Sequence, residues 1–436
     1  MRLVIVGNSA AALSALDAFR SYDHEASVTL VSQEPGTAYS RVLLPYFLRR
    51  RIPYAGLFIR TLESYSRMGA VLVSGPGARV ERVEPTDRRL ELADGRHLAY
   101  DRLLIATGSR PVKPRVHGLD HPAVHHLWTV DDALRLDPLL RDRARILVLG
   151  SGFVALQAAW AARCRGLHVT VVELEERIMP RVLDDRASRL LHESLEAHGV
   201  TVHVGTRTEA LENDGDGAVR VHVASLDSFT ADLVVVATGV RPNDGLLPEA
   251  VEPGSPGIAV AATMATEVED VFAAGDVTRG PTALGGPREI HALWPTAVEQ
   301  GAIAGANLAG AALAYSGSLS MNVTEMFGLT VASLGRFVER RGDDVLVYDH
   351  LPGIRYLKLV SRHGVPVGAI ALGDARGASL LGQLRPFVRY GRAMADPQAL
   401  LAGDGSLRVL AGGAAAHAAL GRRPISQEVE RCASWR

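Results

Sequence analysis

Between Arg145 and Arg181 the chain reads RILVLGSGFVALQAAWAARCRGLHVTVVELEERIMPR, and this stretch restricts the fold more than any other. Its apolar run Ile146–Leu149 is short enough for a buried strand and ends on a glycine. Gly150, Gly152 and Ala155 then follow the spacing G-x-G-x-x-A. The first glycine permits a tight turn, and the second lets backbone amides approach a pyrophosphate. The third small residue lets the next helix pack close to the strand. That predicted helix, about Phe153 to Arg165, aims unpaired N–H groups and its positive dipole end at the turn, which favours an anion. Gly166 stops it, His168–Val172 alternates back into a strand, and Glu173 stands 21 residues past Gly152, where a ribose-binding carboxylate belongs. Glycines alone also suit a tight turn in an ordinary βαβ unit. Strand, turn, helix, strand and terminal acid together specify a dinucleotide.

Residues 2–34 repeat the pattern, with Gly7, Ser9 and Ala12 at the three small positions. Serine in place of the middle glycine adds only a hydroxymethyl group, which weakens the match without blocking a phosphate. Here the second predicted strand, Val28–Val31, reaches Ser32 and the acid is displaced to Glu34. A second echo supports the first: residues 101–111 read DRLLIATGSRP and residues 232–242 read DLVVVATGVRP. Such self-similarity indicates two related nucleotide-binding units. A duplication with a single ligand ranks below two bound cofactors.

Composition excludes other classes. A formal net charge of −1 over 436 residues argues against nucleic acid or an anionic membrane as the main partner. Arg49-Arg50-Arg51 remains a local basic patch. The run Ala302–Ala314 is too short to span a bilayer and reads as a buried helix. The amino terminus enters a strand at once, without the pattern of a signal peptide. Two cysteines, Cys164 and Cys432, cannot form a CxxC pair, an iron–sulfur set or a disulfide framework, so a cytoplasmic location is expected.

Elsewhere, Tyr39–Tyr46 reads as a loop leading into a helix, with Arg41 suited to a phosphate. Residues 70–100 read as a small antiparallel sheet with an Asp94-Gly95 hairpin, and Pro111–Pro122 as a linker. His121, His125 and His126 cluster here, but no carboxylate or cysteine spacing supports a metal nearby, so strand entry or surface is expected rather than a metal site. Val219–Val223 and Ala231–Ala237 are expected to complete the central sheet. Asp270–Asp276 gives a strand ending in Gly275-Asp276, a place from which a carboxylate can accept hydrogen bonds from sugar hydroxyls. Trp294-Pro295-Thr296 opens a helix to about Leu308. Strands follow at Thr330–Leu334, Asp344–Tyr348, Arg355–Val360 and Val365–Leu372, then helix around Ala378–Met394 and an Ala/Gly/Arg-rich tail.

The segments VIVGNSAAA, IATGSRP, VLGSGFVA, VVATGVRPN and VFAAGD resemble the FAD-dependent pyridine nucleotide–disulfide oxidoreductases over about three quarters of the chain. YSRVLLPY and WPTAVEQG look closest to the flavin modules of NADH:nitrite reductase and of rubredoxin and ferredoxin reductases. They also look like the NADH-binding subunits of phenylglyoxylate and tungsten aldehyde oxidoreductases. The resemblance implies an α/β fold with two nested, three-layer, Rossmann-like dinucleotide-binding domains and a smaller α+β carboxy-terminal interface domain. The implied boundaries are 1–120 and 243–316 for a split FAD domain, 121–242 for the NAD(H) domain, and 317–436 for the interface domain.

Carried over by residue, the resemblance implies that Gly7, Ser9, Ala10 and Ala12 cradle the FAD pyrophosphate, with Glu34 on the adenosine ribose. Arg41 matches the arginine of an E-R-P-x-L-S motif; Ala106, Thr107, Gly108 and Arg110 belong to the first ATG segment and Gly239 to the second. Gly275 and Asp276 match the ribityl-binding turn, and Trp294, Pro295 and Thr296 aim a helix end at the flavin pyrimidine. Gly150, Gly152, Val154 and Glu173 would bind NADH, and Phe153 would lie over the flavin until nicotinamide displaces it.

Two departures matter. Disulfide-reducing relatives carry a C-x4-C pair or a single cysteine just after the first strand–helix–strand unit, and this chain has none at that place, which speaks against a dithiol relay. A lysine–glutamate pair near the flavin in several relatives reads here as Tyr46 and Gln157, both neutral, with Gln157 a candidate for orienting the nicotinamide carboxamide. The implied activity is hydride transfer from NADH to FAD, then electron transfer to a redox partner protein or a larger oxidoreductase complex. A homodimer is left open. An oxygen-using NADH oxidase and an NADH-sensing flavoprotein are the alternatives.

Overall fold

The computed structural model describes residues 1–141 and 144–394. Two five-stranded sheets, all parallel, dominate it. The first runs Ala70–Ser74, Ser27–Ser32, Arg2–Val6, Arg102–Ile105, Val271–Ala273 in spatial order. The second runs Val200–His203, His168–Val172, Arg145–Leu149, Leu233–Val236, Val124–His125. In both, the strand that opens the glycine turn lies in the middle, between its βαβ partner and the strand leading to an ATG segment. Strand order reverses there, and the crevice at the carboxyl ends is where such sheets bind ligands. The near-continuous apolar character of Leu3–Val6 and Ile146–Leu149 follows from burial on both faces.

The helix Ala10–Arg20 crosses the helix Trp294–Leu308 at very short range. A Cβ on Gly301 or Gly305 would stand 2.3 Å from the carbonyl oxygen of Ala11 or 2.1 Å from that of Ala15. Only glycine permits this approach, which seats the second helix on the sheet. That helix ends at Leu308, before the end of the expected small-residue run at Ala314.

Other expectations need correction. Ala70–Ser74 belongs to the first parallel sheet; only Val80–Glu84, Arg89–Leu92 and His97–Ala99 form the antiparallel unit, with Asp94-Gly95 at its hairpin. Val219–Val223 pairs antiparallel with Thr208–Asn213 and Phe229–Ala231, so of the two late segments only Leu233–Val236 joins the central sheet. Alternation of burial along Val219–Val223 marks a sheet with one face on the core, whereas Leu233–Val236 is buried throughout. The two ATG echoes meet directly: Ser109–Pro111 pairs antiparallel with Val240–Pro242, setting Arg110 opposite Arg241.

Residues 321–373 form a five-stranded antiparallel sheet, order Met321–Met326, Leu329–Gly335, Val365–Gly373, Ile354–Arg362, Asp344–Leu351. The polar edge strand Met321–Met326 escapes sequence reading because it lacks an apolar face. The following helix spans Ala375–Tyr390, with Gly391 in the left-handed conformation ending it, earlier than the expected Met394. No helix among the described residues is long and apolar enough to cross a membrane. The Ala/Gly/Arg-rich tail and Cys432 lie outside the described residues.

Candidate active site

A cavity of about 1200 Å³ opens at the carboxyl ends of the first sheet and continues to the second unit and the edge strand Met321–Met326. Its floor is the first glycine turn. Gly7 has φ +133°, and a Cβ there would stand 2.2 Å from the Ala106 carbonyl oxygen, so Gly7 and the first ATG segment are in contact through backbone alone. Ser9 is the extended N-cap of the helix Ala10–Arg20, and its side chain caps nothing. The helix amides at Ala10 and Ala11 therefore face the cavity as free donors, which suits a phosphate. Ala12 lies one position deeper and is buried in the core rather than lining the cavity.

Glu34 and Arg41 both line the cavity, but they pair with each other. Tyr39 donates its hydroxyl to the same carboxylate, and Arg41 Nη1 donates to the Trp128 carbonyl at 2.7 Å. The Arg41 guanidinium also lies 5.5 Å from the Tyr39 ring centroid and 5.4 Å from that of Trp128. Ribose and phosphate roles for the two thus start from a mutual ion pair.

The first ATG turn is locked by Asn243, a residue that no sequence expectation marked although it closes the VRPN segment. Its amide donates to the Thr107 carbonyl at 2.9 Å, Thr107 Oγ1 donates back to its carbonyl at 2.9 Å, and its Oδ1 accepts from Arg110 at 2.8 Å. Arg110 is thereby a structural clamp with its rim facing the cavity.

Asp276 lines the cavity and accepts from Ser109 Oγ at 2.7 Å. Its turn is held by buried Gln300, whose Oε1 accepts from the Gly275 amide at 2.8 Å and from Thr278 Oγ1 at 3.0 Å. Gln300 was also missed; its signal is a side-chain amide within an Ala/Gly-rich buried helix, one that needs a partner. Burial pushes the Asp276 carboxyl above its ordinary 3.8, against the lowering effects of Ser109 and Arg41. The unfolded chain releases this proton first, so the folded protein binds more protons above about pH 4, and stability falls as pH rises through the elevated folded value. Asp276→Asn is expected to stabilise the ligand-free protein at pH 7 and to leave its stability at pH 3 nearly unchanged, as thermal melting across that range would show. Equal melting shifts at both pH values would refute this.

Trp294 and Pro295 line the cavity at the start of their helix, while Thr296 is buried behind them. The same cavity is lined by Tyr46, on the short helix Leu44–Leu48, and by Phe153, Val154 and Gln157 of the helix Phe153–Cys164. Gln157 is 6 % exposed. Its Nε2 donates to Thr324 Oγ1 at 2.5 Å and to the Glu325 carbonyl at 3.1 Å, both on the edge strand that the sequence hid. Its Oε1 has no partner, a buried acceptor beside the cavity.

The second glycine turn does not line this cavity. Gly150 has φ +97°, a Cβ there would meet the Ala237 carbonyl oxygen at 2.6 Å, and Gly152 is the extended N-cap of its helix. Glu173 is buried, accepting from Ser151 Oγ and from the Glu175 amide at 3.0 Å. Gly239, φ +119°, accepts from the Val112 amide at 2.9 Å beside the ribbon that joins the two echoes. Among the described residues, no group of three or more His, Cys, Asp or Glu is placed to hold a metal ion.

These features fit a dinucleotide in the large cavity: a glycine cradle that a Cβ would fill, free helix amides, and a buried carboxylate with acceptor capacity left over. Residues 1–301 match the family described as pyridine nucleotide-disulphide oxidoreductase. The chain is 31% identical over 373 residues to the NADH-dependent phenylglyoxylate dehydrogenase subunit epsilon of Aromatoleum evansii, spanning 85% of this chain and 87% of that one. It is 27% identical over 345 residues to an NADH oxidase of Methanocaldococcus jannaschii, spanning 77% and 76%. Among solved structures, an NAD-dependent persulfide reductase from A. fulgidus superposes with a TM-score of 0.81 at 26% identity, covering 90% of this chain and 77% of that one. With two glycine turns on two sheets of like order and this match along its first 301 residues, the chain belongs to the pyridine nucleotide–disulphide oxidoreductase family.

Proposed function

We propose that the protein is an FAD-dependent NADH:acceptor oxidoreductase that hands electrons to a redox partner protein or a companion subunit, without a redox-active disulfide. The observation that carries this reading is a single cavity that joins the Gly7 cradle and Asp276 to the start of the helix following the second glycine turn. FAD, when bound, accepts a hydride from NADH and passes the electrons on, which is chemistry no side chain here supplies. The chain binds and aligns. Ala10 and Ala11 amides hold phosphate, Asp276 accepts from sugar hydroxyls, and the Trp294 helix end faces the ring system with its positive dipole. Phe153 covers the nicotinamide side, and the unpartnered Gln157 Oε1 accepts from the carboxamide. Residues 1–120 and 243–316 constitute the flavin unit, 121–242 the NADH unit and 317–436 an interface domain.

A relative named as a subunit of a larger dehydrogenase supports the partner half of this reading. The oxidase name of another keeps direct reaction with oxygen as the second reading. Purified protein is expected to be yellow, to release FAD on denaturation, and to reduce a dye with NADH faster than it consumes oxygen. A folded protein that stays colourless after reconstitution would sink the proposal, and oxygen uptake matching dye reduction would favour the oxidase.

Cys164 lies at the far end of the helix Phe153–Cys164, free and exposed, away from the cavity. Cys164→Ser is therefore expected to retain dye reduction within about twofold, a surface substitution costing little, and the same is expected of its combination with Cys432→Ser because the proposed reaction uses no thiol. A loss of tenfold or more with the flavin still bound would point to a thiol relay.

A further inference from the structure

Three consecutive arginines, Arg49–Arg51, stood out in the sequence as a basic patch, and the fold separates them. Arg50 reaches Asp137 at 2.9 Å, and Arg51 is exposed. Arg49 turns inward and is 9 % exposed. Its guanidinium carbon lies 4.4 Å from the Tyr46 ring centroid and 3.9 Å from that of Trp160, a cation held between two aromatic faces. Its Nε is buried without a hydrogen-bond partner. It forms no ion pair with a carboxylate among the described residues, and Asp137 is already shared by Arg50 and by Arg165, the latter at 3.0 Å.

A buried charge ordinarily has a counter-charge. Among the described residues no carboxylate pairs with it, and in this largely buried position its field is attenuated less than at the open surface. Tyr46, the ring it stacks on, lines the cavity together with Leu44 and Pro45. Trp160 is one turn beyond Gln157 on the helix Phe153–Cys164, so the stack ties together the two elements that bring Tyr46 and Gln157 to the cavity.

We propose that Arg49 is a positioning and potential-setting residue. Stacked between Tyr46 and Trp160, it fixes Tyr46 against the cavity and places a positive charge one ring's depth behind the wall, favouring the reduced, more negative form of the flavin. This rests on the flavin reading above, and two separate readouts keep the two apart. Flavin content of the purified full chain, from its absorbance, addresses the flavin reading alone. The ratio of reduced to oxidised flavin, equilibrated anaerobically against a reference dye without NADH, addresses Arg49.

Arg49→Met is expected to keep its flavin but to lower that ratio at a given dye potential about tenfold, which is about 30 mV for a two-electron couple. Arg49→Gln, similar in polarity but uncharged, carries the same expectation and serves if the Met variant fails to hold flavin. Arg49→Lys keeps the charge and is expected to stay within about threefold of the wild type. An unchanged or increased ratio in the neutral variants overturns the proposal. So does a lysine variant that falls as far as they do, because packing rather than charge would then be responsible. A wild-type protein without flavin would instead sink the flavin reading.

Discussion

Gly7→Ala is expected to give a colourless protein. The added Cβ has nowhere to go: at φ +133° an L-residue is strained, and the methyl would stand 2.2 Å from the Ala106 carbonyl oxygen, which is backbone and cannot rotate away. Holding such a conformation costs about 1–3 kcal/mol and relieving the overlap a similar amount, so the ligand-free protein should lose about 2–4 kcal/mol. Relief requires the turn and the first ATG segment to separate, and these are the two sides of the proposed pyrophosphate cradle. Flavin absorbance relative to protein, with thermal melting alongside, measures both effects. Gly95→Ala is the control. Gly95 is also at positive φ, +82°, in the Asp94-Gly95 hairpin, but a Cβ there meets nothing within 4 Å. It should cost about 1 kcal/mol and leave the flavin in place. Full flavin content in Gly7→Ala would show that the cofactor does not sit against this turn.

The second large effect concerns the nucleotide. NADH is expected to be preferred over NADPH by on the order of a hundredfold in kcat/KM, with Glu173 responsible, since like charges brought together at an interface cost several kcal/mol and each 1.4 kcal/mol is tenfold. Arg177 and Arg181 follow the acid closely and are the obvious ligands for a 2′-phosphate. Arg177, however, is held by Asp185 at 3.1 Å and by the Pro180 carbonyl at 3.4 Å. That leaves Arg181, which is exposed, as the competing cation. Because the Glu173 carboxylate also secures Ser151 and the Glu175 amide, truncation to alanine would leave those donors unpaired and cost about 1–3 kcal/mol. Glu173→Gln removes the charge and keeps one acceptor for the Glu175 amide, while its NH2 can donate to the Ser151 hydroxyl, which is able to accept. Steady-state kinetics of that variant with both nucleotides should show the gap reduced to less than about tenfold. A wild type that uses both equally, or prefers NADPH, would show that Arg181 prevails.

Much of the chemistry was legible in the sequence because it depends on backbone. Tight turns before helix amino ends need glycine or another small residue at set spacings, so Gly7, Gly150 and Gly275 could be named without coordinates. The echo of the ATG segments pointed to two related units, and the two parallel sheets indeed share the arrangement of strands around the glycine turn. Side-chain partnerships were different. The pairing of Glu34 with Arg41 joins a strand end to a loop, and nothing in their seven-residue separation requires it. Gln300 and Asn243 emerged as supports of the Asp276 and Thr107 turns only once residues 25 and 136 positions apart were brought together.

By itself, then, the sequence determined two βαβ nucleotide units, the absence of a cysteine pair beside the first, and the identity of the backbone cradles. All of these follow from local steric rules or from composition. The tertiary structure decided which charges are spent on one another and which remain free. The Arg49 cation shows the difference. Its neighbours in sequence are two more arginines, which read as solvated surface. Its neighbours in space are Tyr46, three residues earlier on one helix, and Trp160, on a helix more than a hundred residues later. Periodicity reports which face of a helix is apolar, but not which distant helix will cover it. Only packing between the two could turn one arginine of three inward, behind the wall of the cavity.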